Sequence, residues 1–390
     1  VFEMFTNSTY LRSWLADTAL ATPRAGGRIY LAWDDGYQTA GYFGMVRPPK
    51  ALTFTWHGTD ELQPTTVEVK ITPTESGSRV RVRHTGFGSG KQARGSAKTL
   101  KNAWKASLEN LASVLSDGAD LRITRRPMLG IFVGEEVNPA NADRFGADHG
   151  VHLDGVAEGM GAAAAGLVAG DVIAALAKRP IYGFNDLRVA LSDHRAGDTV
   201  EVEFIRDREQ MTAPMQLSGR TFQEMPRSGA ELAARVEESF NGFFAGLAEA
   251  TEGITEREAA HRADREWSVR DILAHVIQTE IDGHSNLIEQ VEGVERYYDG
   301  TFGNSDLGIR VVSDSYPSLG AVVDACRLAM DQTVALLTSL PPELVARKAI
   351  FWRIAVGYDD PGRHLTEHLE QIRAARAASH SIEQASLMEA

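Results

Sequence analysis

Cysteine is nearly absent from this chain: among 390 residues there is one, Cys326. A lone thiol excludes an internal disulfide framework and any zinc module built on several thiolates. Long apolar runs are missing too. Nothing approaches the roughly 18 consecutive apolar residues needed to cross a bilayer, so no membrane span is expected. Basic charge is short as well: forty Lys and Arg stand against fifty-three Asp and Glu, a net of −13. That balance makes nucleic acid a poor partner. No signal peptide is visible, and the chain opens without Met on an amphipathic helical pattern. The cytoplasm is therefore the default location, and an N-terminal piece is expected to be missing. What is present is ordinary globular composition, 43% hydrophobic and 24% charged. At roughly 150 residues per domain the length suggests two or three domains.

Hydrophobic periodicity changes twice, and the fold class it predicts is multidomain α+β. Residues 1–118 read as a helix, about five alternating strands and one long helix. Residues 122–220 are Gly-rich, with short strands and short helices. Residues 228–385 read as helix, apart from a Gly- and Asp-bearing loop near 299–308. Polar linkers separate the three, Ser116-Asp117-Gly118 at the first boundary and Gln223 to Gly229 at the second. No internal repeat relates them.

In the first segment Leu52, Phe54 and Trp56 share a strand face, as do Val67, Val69 and Ile71. Trp104, Leu108, Leu111 and Leu115 make one helical stripe. An antiparallel sheet with the long helix on its apolar face is the economical packing. Phe2, Phe5, Trp14-Leu15, Pro23 to Gly27, Phe54-Thr55-Trp56 and Trp104 to Leu111 resemble the SRPBCC (START-like) superfamily, in the branch of the heat-shock-protein-90 ATPase activator. The family's first strand precedes its first helix and is missing here. The resemblance implies a helix-grip fold with a cavity for an apolar small molecule, lined by Leu52, Phe54, Val67, Val69, Leu108 and Leu111. The alternative is that the aromatics fill the core. His57 and His84 are expected to be strand or surface histidines rather than catalysts.

In the second segment, Arg126-Pro127-Met128-Leu129-Gly130-Ile131-Phe132-Val133 leads a loop into a strand. Ala165-Gly166-Leu167-Val168-Ala169-Gly170-Asp171-Val172-Ile173 reads as a helix end, a Gly-Asp turn and a strand. Together they resemble a PDZ domain of the type found in bacterial HtrA-like proteases. The resemblance implies that a protein's C-terminal peptide adds beside Ile131, Phe132 and Val133. Its carboxylate would be held by N–H groups at Leu129, Gly130 and Ile131, with Leu187 and Leu191 on the facing wall. A groove filled internally is the alternative. No Ser/His/Asp protease segment precedes it. Gly159-Met160-Gly161 imitates a dinucleotide fingerprint, but Gly166 and Gly170-Asp171 stop the helix that would have to follow, so NAD is not expected.

The third segment suggests helices near 228–250, 268–292, 318–340 and 343–377. Ser268 with Asp271 forms a capping signal. His275 lies in the apolar stripe that follows, and His364 and His368 stand one turn apart on a later helix. Two imidazoles at that spacing can share a metal, and a third from a facing helix completes a set. The pattern resembles the DinB/YfiT-like four-helix bundle, whose metal histidines correspond to His275, His364 and His368. The resemblance implies a divalent transition metal, zinc or nickel ahead of others, with a coordination position left for a water or a thiolate. His284 lies half a turn away from His275 and is not expected to ligate. His261 and His380 default to the surface, as do Glu367 and Glu370. The expected function is a multidomain binding protein with an apolar cavity, a peptide groove and a metal-competent bundle. A metal-dependent thiol transferase or hydrolase, and a co-chaperone-like partner binder, are the alternatives. Oligomeric state is not legible.

Overall fold

In a computed structural model the described residues are all but 60, 62, 193, 221, 264–265, 296–303, 359–360 and 389–390, and the side chains of 361–363 and 380–388 are also outside the description. The His380 side chain and residues 299–303, half of the loop expected near 299–308, therefore lie outside the described set. The architecture is mixed α+β: an N-terminal β-sheet region, a PDZ-like β region and a C-terminal helical region. Backbone packing divides it into two compact units, one of residues 1–32, 38–118 and 223–390, the other of 33–37 and 119–222.

After a single 3-10 turn at Glu3–Phe5, the first unit has a short helix, α1 (Ser8–Arg12), whose N-terminus is capped by Asn7. Six antiparallel strands follow in sequence order: β1 (Thr18–Ala21), β2 (Arg28–Ala32), β3 (Gln38–Arg47), β4 (Ala51–Gly58), β5 (Thr65–Thr74) and β6 (Gly77–Thr85). Alternation along β4 and β5 buries Leu52, Phe54, Trp56, Val67, Val69 and Ile71, because successive side chains in a strand point to opposite faces. The long helix α2 (Lys91–Ser116) buries Ala93, Leu100, Trp104, Leu111 and Val114. Leu115, expected in this stripe, is 41% exposed. A helix advances 100° per residue, so the neighbouring Val114 is the one that faces inward.

The C-terminal part of this unit holds four long helices: α7 (Gly229–Ala250), α9 (Val269–Glu292), α11 (Leu319–Thr338) and α14 (Pro361–Met388). Short helices α8 (Glu256–Ala259), α10 (Asp306–Ser315), α12 (Pro342–Val345) and α13 (Lys348–Gly357) join them. Helix α11 packs on α9 and α7, and α14 packs on α7 and α9, so the four close around one apolar core. The single helix expected over 343–377 is instead three. Arg347 leaves helical geometry with ψ 73°, and α14 starts at Pro361, a residue that opens a helix more readily than it continues one.

A buried charge cluster ties α1 to the helical region. The Glu295 carboxylate, 1% exposed, accepts from Arg353 at 2.7 and 2.9 Å and pairs with Arg12 at 3.1 Å. Its N–H donates to Thr9 Oγ1 at 3.1 Å, and Asn7 Nδ2 donates to the Gly293 carbonyl at 3.0 Å.

The second unit carries one sheet in the order β13-β12-β10-β9-β8, with β11 (Arg179–Pro180) beside β10. These are β8 (Ile131–Val137), β9 (Gly150–Val156), β10 (Val172–Leu176), β12 (Thr199–Arg206) and β13 (Glu209–Gln216). A two-stranded ribbon joins β7 (Pro127–Met128) to β14 (Ser218–Gly219). Its helices are short: α3 (Leu121–Thr124), α4 (Ala142–Phe145), α5 (Gly161–Ala164) and α6 (Phe184–Leu191). Asp171 explains the Gly-Asp turn. Its fully buried carboxylate accepts from Arg206 at 2.7 and 2.8 Å and from the Val168 N–H at 2.8 Å. A buried carboxylate is tolerable only when its lone pairs are filled in this way.

Candidate functional sites

The histidine centre grows from two helix starts. At the head of α9 the Ser268 hydroxyl caps the Asp271 N–H at 3.1 Å, and the Asp271 carboxylate accepts from the Ser268 N–H and hydroxyl at 3.0 and 2.8 Å. Arg262, from the preceding loop, clamps the same carboxylate through both oxygens at 2.6 Å. Burial pulls the Asp271 carboxyl upward, but Arg262 and Ser268 outweigh it and hold it below the ordinary carboxylate range. The loop is thus fastened to the first turn of α9, one turn before His275.

His275 is 5% exposed, with the Trp267 ring 5.1 Å away. Across from it, α14 presents His364 and His368 on one face. One nitrogen from each of the three rings lies within 4.8 Å of the others, and Nε2 of His364 is 3.0 Å from Nε2 of His368. Nδ1 of His368 lies 2.9 Å from Gln371 Oε1. That carbonyl can only accept, so Nδ1 carries the proton and the Nε2 lone pair points inward. Burial, joined by the neighbouring His364 and His275 rings and opposed by the Gln371 bond, pushes His368 down to about 4. At neutral pH its ring is therefore in the ligating, neutral form. Ligation at about 2.0–2.1 Å in a tetrahedron needs nitrogens about 3.4 Å apart, so side-chain rotations of about 1 Å would bring the widest pair to that spacing. The donor set fits a borderline-soft divalent ion and not magnesium or calcium, which take oxygen. Glu367 and Glu370 lie exposed.

The sequence pattern does not mark Gln371 as a site residue, although its position three residues beyond His368 is a usable signal. A separate polar network occupies the other side of α9. Thr333 donates to Glu280 Oε2 at 2.6 Å and lies 2.8 Å from His284 Nε2. Burial lifts Glu280 to about 6 and lowers His284. His284 thus serves packing between α9 and α11. Cys326 is buried, its thiol pushed up to about 12 mainly by burial.

The groove candidate rests on backbone. Strand β8 ends the sheet, so its outer edge has no strand partner among the described residues. Among those residues nothing accepts from the N–H of Leu129 or Gly130. Gly130 has φ +77°, and a Cβ there would fall 2.2 Å from Met160 Cβ. Leu129 and Leu187 are buried in one core cluster, with Ile131 and Leu191 packed against it. Phe132 and Val133 are 56% and 49% exposed. The first turn of α6 is tied to β8, since Phe184 N–H donates to Glu136 Oε1 at 2.7 Å.

The cavity candidate brings Leu52, Phe54, Val67, Val69 and Leu111 into the buried interior, while Leu108 is only half-buried. Aromatic rings crowd the same space: Phe43 on Phe54 at 5.9 Å, Phe54 on Trp56 at 6.4 Å and Trp56 on Trp104 at 5.8 Å. His84 is part of it, with Nδ1 accepting from Trp104 Nε1 at 3.2 Å and Nε2 donating to Thr65 Oγ1 at 2.7 Å. His57 is exposed on β4. No helix among the described residues is long and apolar enough to cross a membrane.

Comparison with known proteins bears on two segments. A serine protease Do-like HtrA from Lactococcus lactis is 42% identical over 72 residues, 18% of this chain and 18% of that protein. The chain thus spans under a fifth of the curated relatives it matches. Among solved structures, an HSP90 activator from Plasmodium falciparum is 21% identical over 29% of this chain and 84% of its own, with a TM-score of 0.26. The HtrA3 PDZ domain bound to a phage-derived ligand is 18% identical over 24% of this chain and 85% of its own, with a TM-score of 0.21. Residues 1–116 match the family model described as activator of Hsp90 ATPase homolog 1-like protein, and residues 127–217 match that of the PDZ domain.

Proposed function

We propose that this is a multidomain binding protein whose helical region, a DinB-like bundle, holds one divalent transition metal on His275, His364 and His368. The observation that carries the reading is the convergence of three imidazole nitrogens within 4.8 Å, two of them on buried side chains. Imidazoles with no shared task would spread their polar nitrogens toward water, since burial without a partner is costly. Imidazole donors suit zinc, nickel, copper or iron, and zinc and nickel are the ions proposed here. A metal held by three protein ligands supplies Lewis-acid activation to a fourth. That chemistry is what a thiol transferase or hydrolase would need, and it is the enzymatic form of the reading. The test is elemental analysis and calorimetry of the full chain incubated with zinc or nickel at pH 7.5. One ion per chain and a raised melting temperature are expected; no bound ion in excess metal overturns the reading.

The edge of β8 favours a second role, capture of a protein C-terminus. The N–H groups of Leu129 and Gly130 have no described acceptor, beside an open strand edge. A peptide adding there would satisfy both its own backbone and the loop's donors. Peptides ending in a free apolar residue are expected to bind, and their amidated forms to bind far less. Equal binding of both forms would remove carboxylate capture from the proposal. The sheet region is read as the site of an apolar ligand or a chaperone partner, supported by the family its sequence matches.

A further inference from the structure

One face of α2 takes no part in the cavity, the groove or the histidine cluster. From Ser76 to Leu108 the sequence has no carboxylate, while it carries eight Lys and Arg. In a chain where acids outnumber bases, this is a local reversal of sign. Five of the eight, Lys91, Arg94, Lys98, Lys101 and Lys105, lie on α2 at alternating spacings of three and four. That spacing keeps them on one side of the helix, next to the buried stripe of Ala93, Leu100 and Trp104. The row runs for about 21 Å at 1.5 Å per residue. All five side chains are exposed. Among the described residues no carboxylate pairs with any of them. The other three cations lie elsewhere. His84 meets Trp104 of α2, so Arg79, Arg81 and Arg83, at the alternate positions of β6, face away from α2.

The arrangement works against the helix that carries it. Like charges three or four residues apart on a helix repel, and this row contains four such neighbouring pairs in succession. The first turn, where the macrodipole favours anions, holds no acid and carries Lys91 and Arg94 instead. The first carboxylate of α2 is Glu109. A face kept only for solubility would interleave the signs, because Glu and Lys at this spacing stabilise a helix. An anionic surface laid along the row offsets the repulsion and the dipole penalty together.

We propose that this face of α2 docks the protein on a membrane surface rich in anionic phospholipid headgroups. Charge complementarity calls for an anion, and the side chains say which kind. Four of the five are lysines, mobile point charges suited to a diffuse field; bidentate recognition of single phosphates draws on arginine. A cluster of this size on one helix face is the counterpart of a phosphatidylserine-bearing leaflet. The apolar face of α2 is already packed on its own sheet, with Trp104 against Trp56. The helix therefore does not insert, and attachment is electrostatic and reversible. The net charge of −13 opposes this only weakly, since charges beyond a Debye length of about 8 Å are screened. The proposal goes beyond the ligand and partner readings of the sheet region and rests on neither.

The test sediments the full chain with vesicles of phosphatidylserine and phosphatidylcholine in equal parts, and with phosphatidylcholine alone. Binding is expected to the first and not to the second. It should be lost in about 1 M salt, where the screening length shrinks to about 3 Å. Each lysine held at such a surface contributes about fivefold, so Lys98→Gln, Lys101→Gln and Lys105→Gln together should weaken binding about a hundredfold. Arg79→Gln, Arg81→Gln and Arg83→Gln together remove the same charge from the other face of the sheet and should bind close to wild type. The lysine variant should melt no lower than wild type, because it relieves repulsion; should it unfold, the lipid and salt arms on wild type still decide. Equal binding to both vesicles, binding that persists in high salt, or equal losses in the two triple variants each overturns the proposal. Tighter binding to polyglutamate or to a single-stranded oligonucleotide than to the anionic vesicles overturns it too.

Discussion

The candidate groove of the PDZ-like region and the histidine cluster of the helical region are built from different materials. Along β8 the reactive groups are backbone N–H donors, placed by a positive-φ glycine and a strand edge. In the helical region they are side chains from α9 and α14, of which His275 and His368 are buried and His368 is held by Gln371. A backbone site tolerates most side-chain exchanges but not a change of conformation. A side-chain site keeps its backbone under substitution and loses its chemistry with one atom.

The sharpest way to test that contrast is His368→Ala. Loss of a ligand exceeds the 10–100-fold typical of an outer partner, so metal affinity should fall more than about a hundredfold. The fold should persist, read by an unchanged circular dichroism spectrum; unaltered metal affinity would remove His368 from the centre. Next is Gln371→Leu, which keeps the ring but frees Nδ1. Affinity is expected to fall about tenfold with stoichiometry unchanged, and a wild-type isotherm would show that Gln371 does not orient the imidazole.

On the groove side, Gly130→Ala adds one carbon at φ +77°, 2.2 Å from Met160 Cβ. The left-handed backbone alone costs about 1–2 kcal/mol, so denaturant unfolding of the PDZ domain should shift to lower midpoint. An unshifted midpoint would mean that the loop relaxes freely and that the groove is not fixed by backbone geometry.

The smallest effect concerns His84, which belongs to neither site and serves as a control for burial alone. Burial lowers it to about 4. Between its unfolded pKa of about 6.5 and about 4, the unfolded chain takes up a proton that the folded chain refuses. Stability should therefore decline as pH falls through that window and level off below it. His84→Gln should flatten part of the decline; an identical pH profile in the variant would show that His84 does not contribute to it.

Much of this was legible in the sequence where local chemistry dictates geometry. Ser268 and Asp271 cap α9 because a short oxygen side chain and a carboxylate three residues on reach each other's N–H groups in any helix. Gly170-Asp171 marked its turn for a similarly local reason. The histidines His364 and His368 shared a face by spacing alone, but that His275 meets them depended on how α9 and α14 pack. That meeting was read from a family likeness, since periodicity does not encode it. His261 reads as a surface histidine in sequence, but it is half-buried, because the Arg262–Asp271 clamp, a contact across nine residues, holds its neighbour against α9. Leu115 reads as a core residue in sequence because a one-residue rotation of α2 is invisible to a stripe of 4-3-4 spacing; in the fold Val114 takes that place.

The cluster around Glu295 has a consequence for how the chain reaches its native state during synthesis. Thr9 and Arg353, which both contact Glu295, are 344 residues apart. When α1 leaves the ribosome, neither the carboxylate nor its second guanidinium exists yet. The PDZ domain, whose sequence lies wholly between them, emerges complete in the meantime. Closing a loop costs free energy only as the logarithm of its flexible length, and a segment that has already folded no longer counts at full length. The order of emergence therefore lowers the entropic cost of joining α1 to α13, while leaving Arg12 to wait in water for a partner made much later in synthesis.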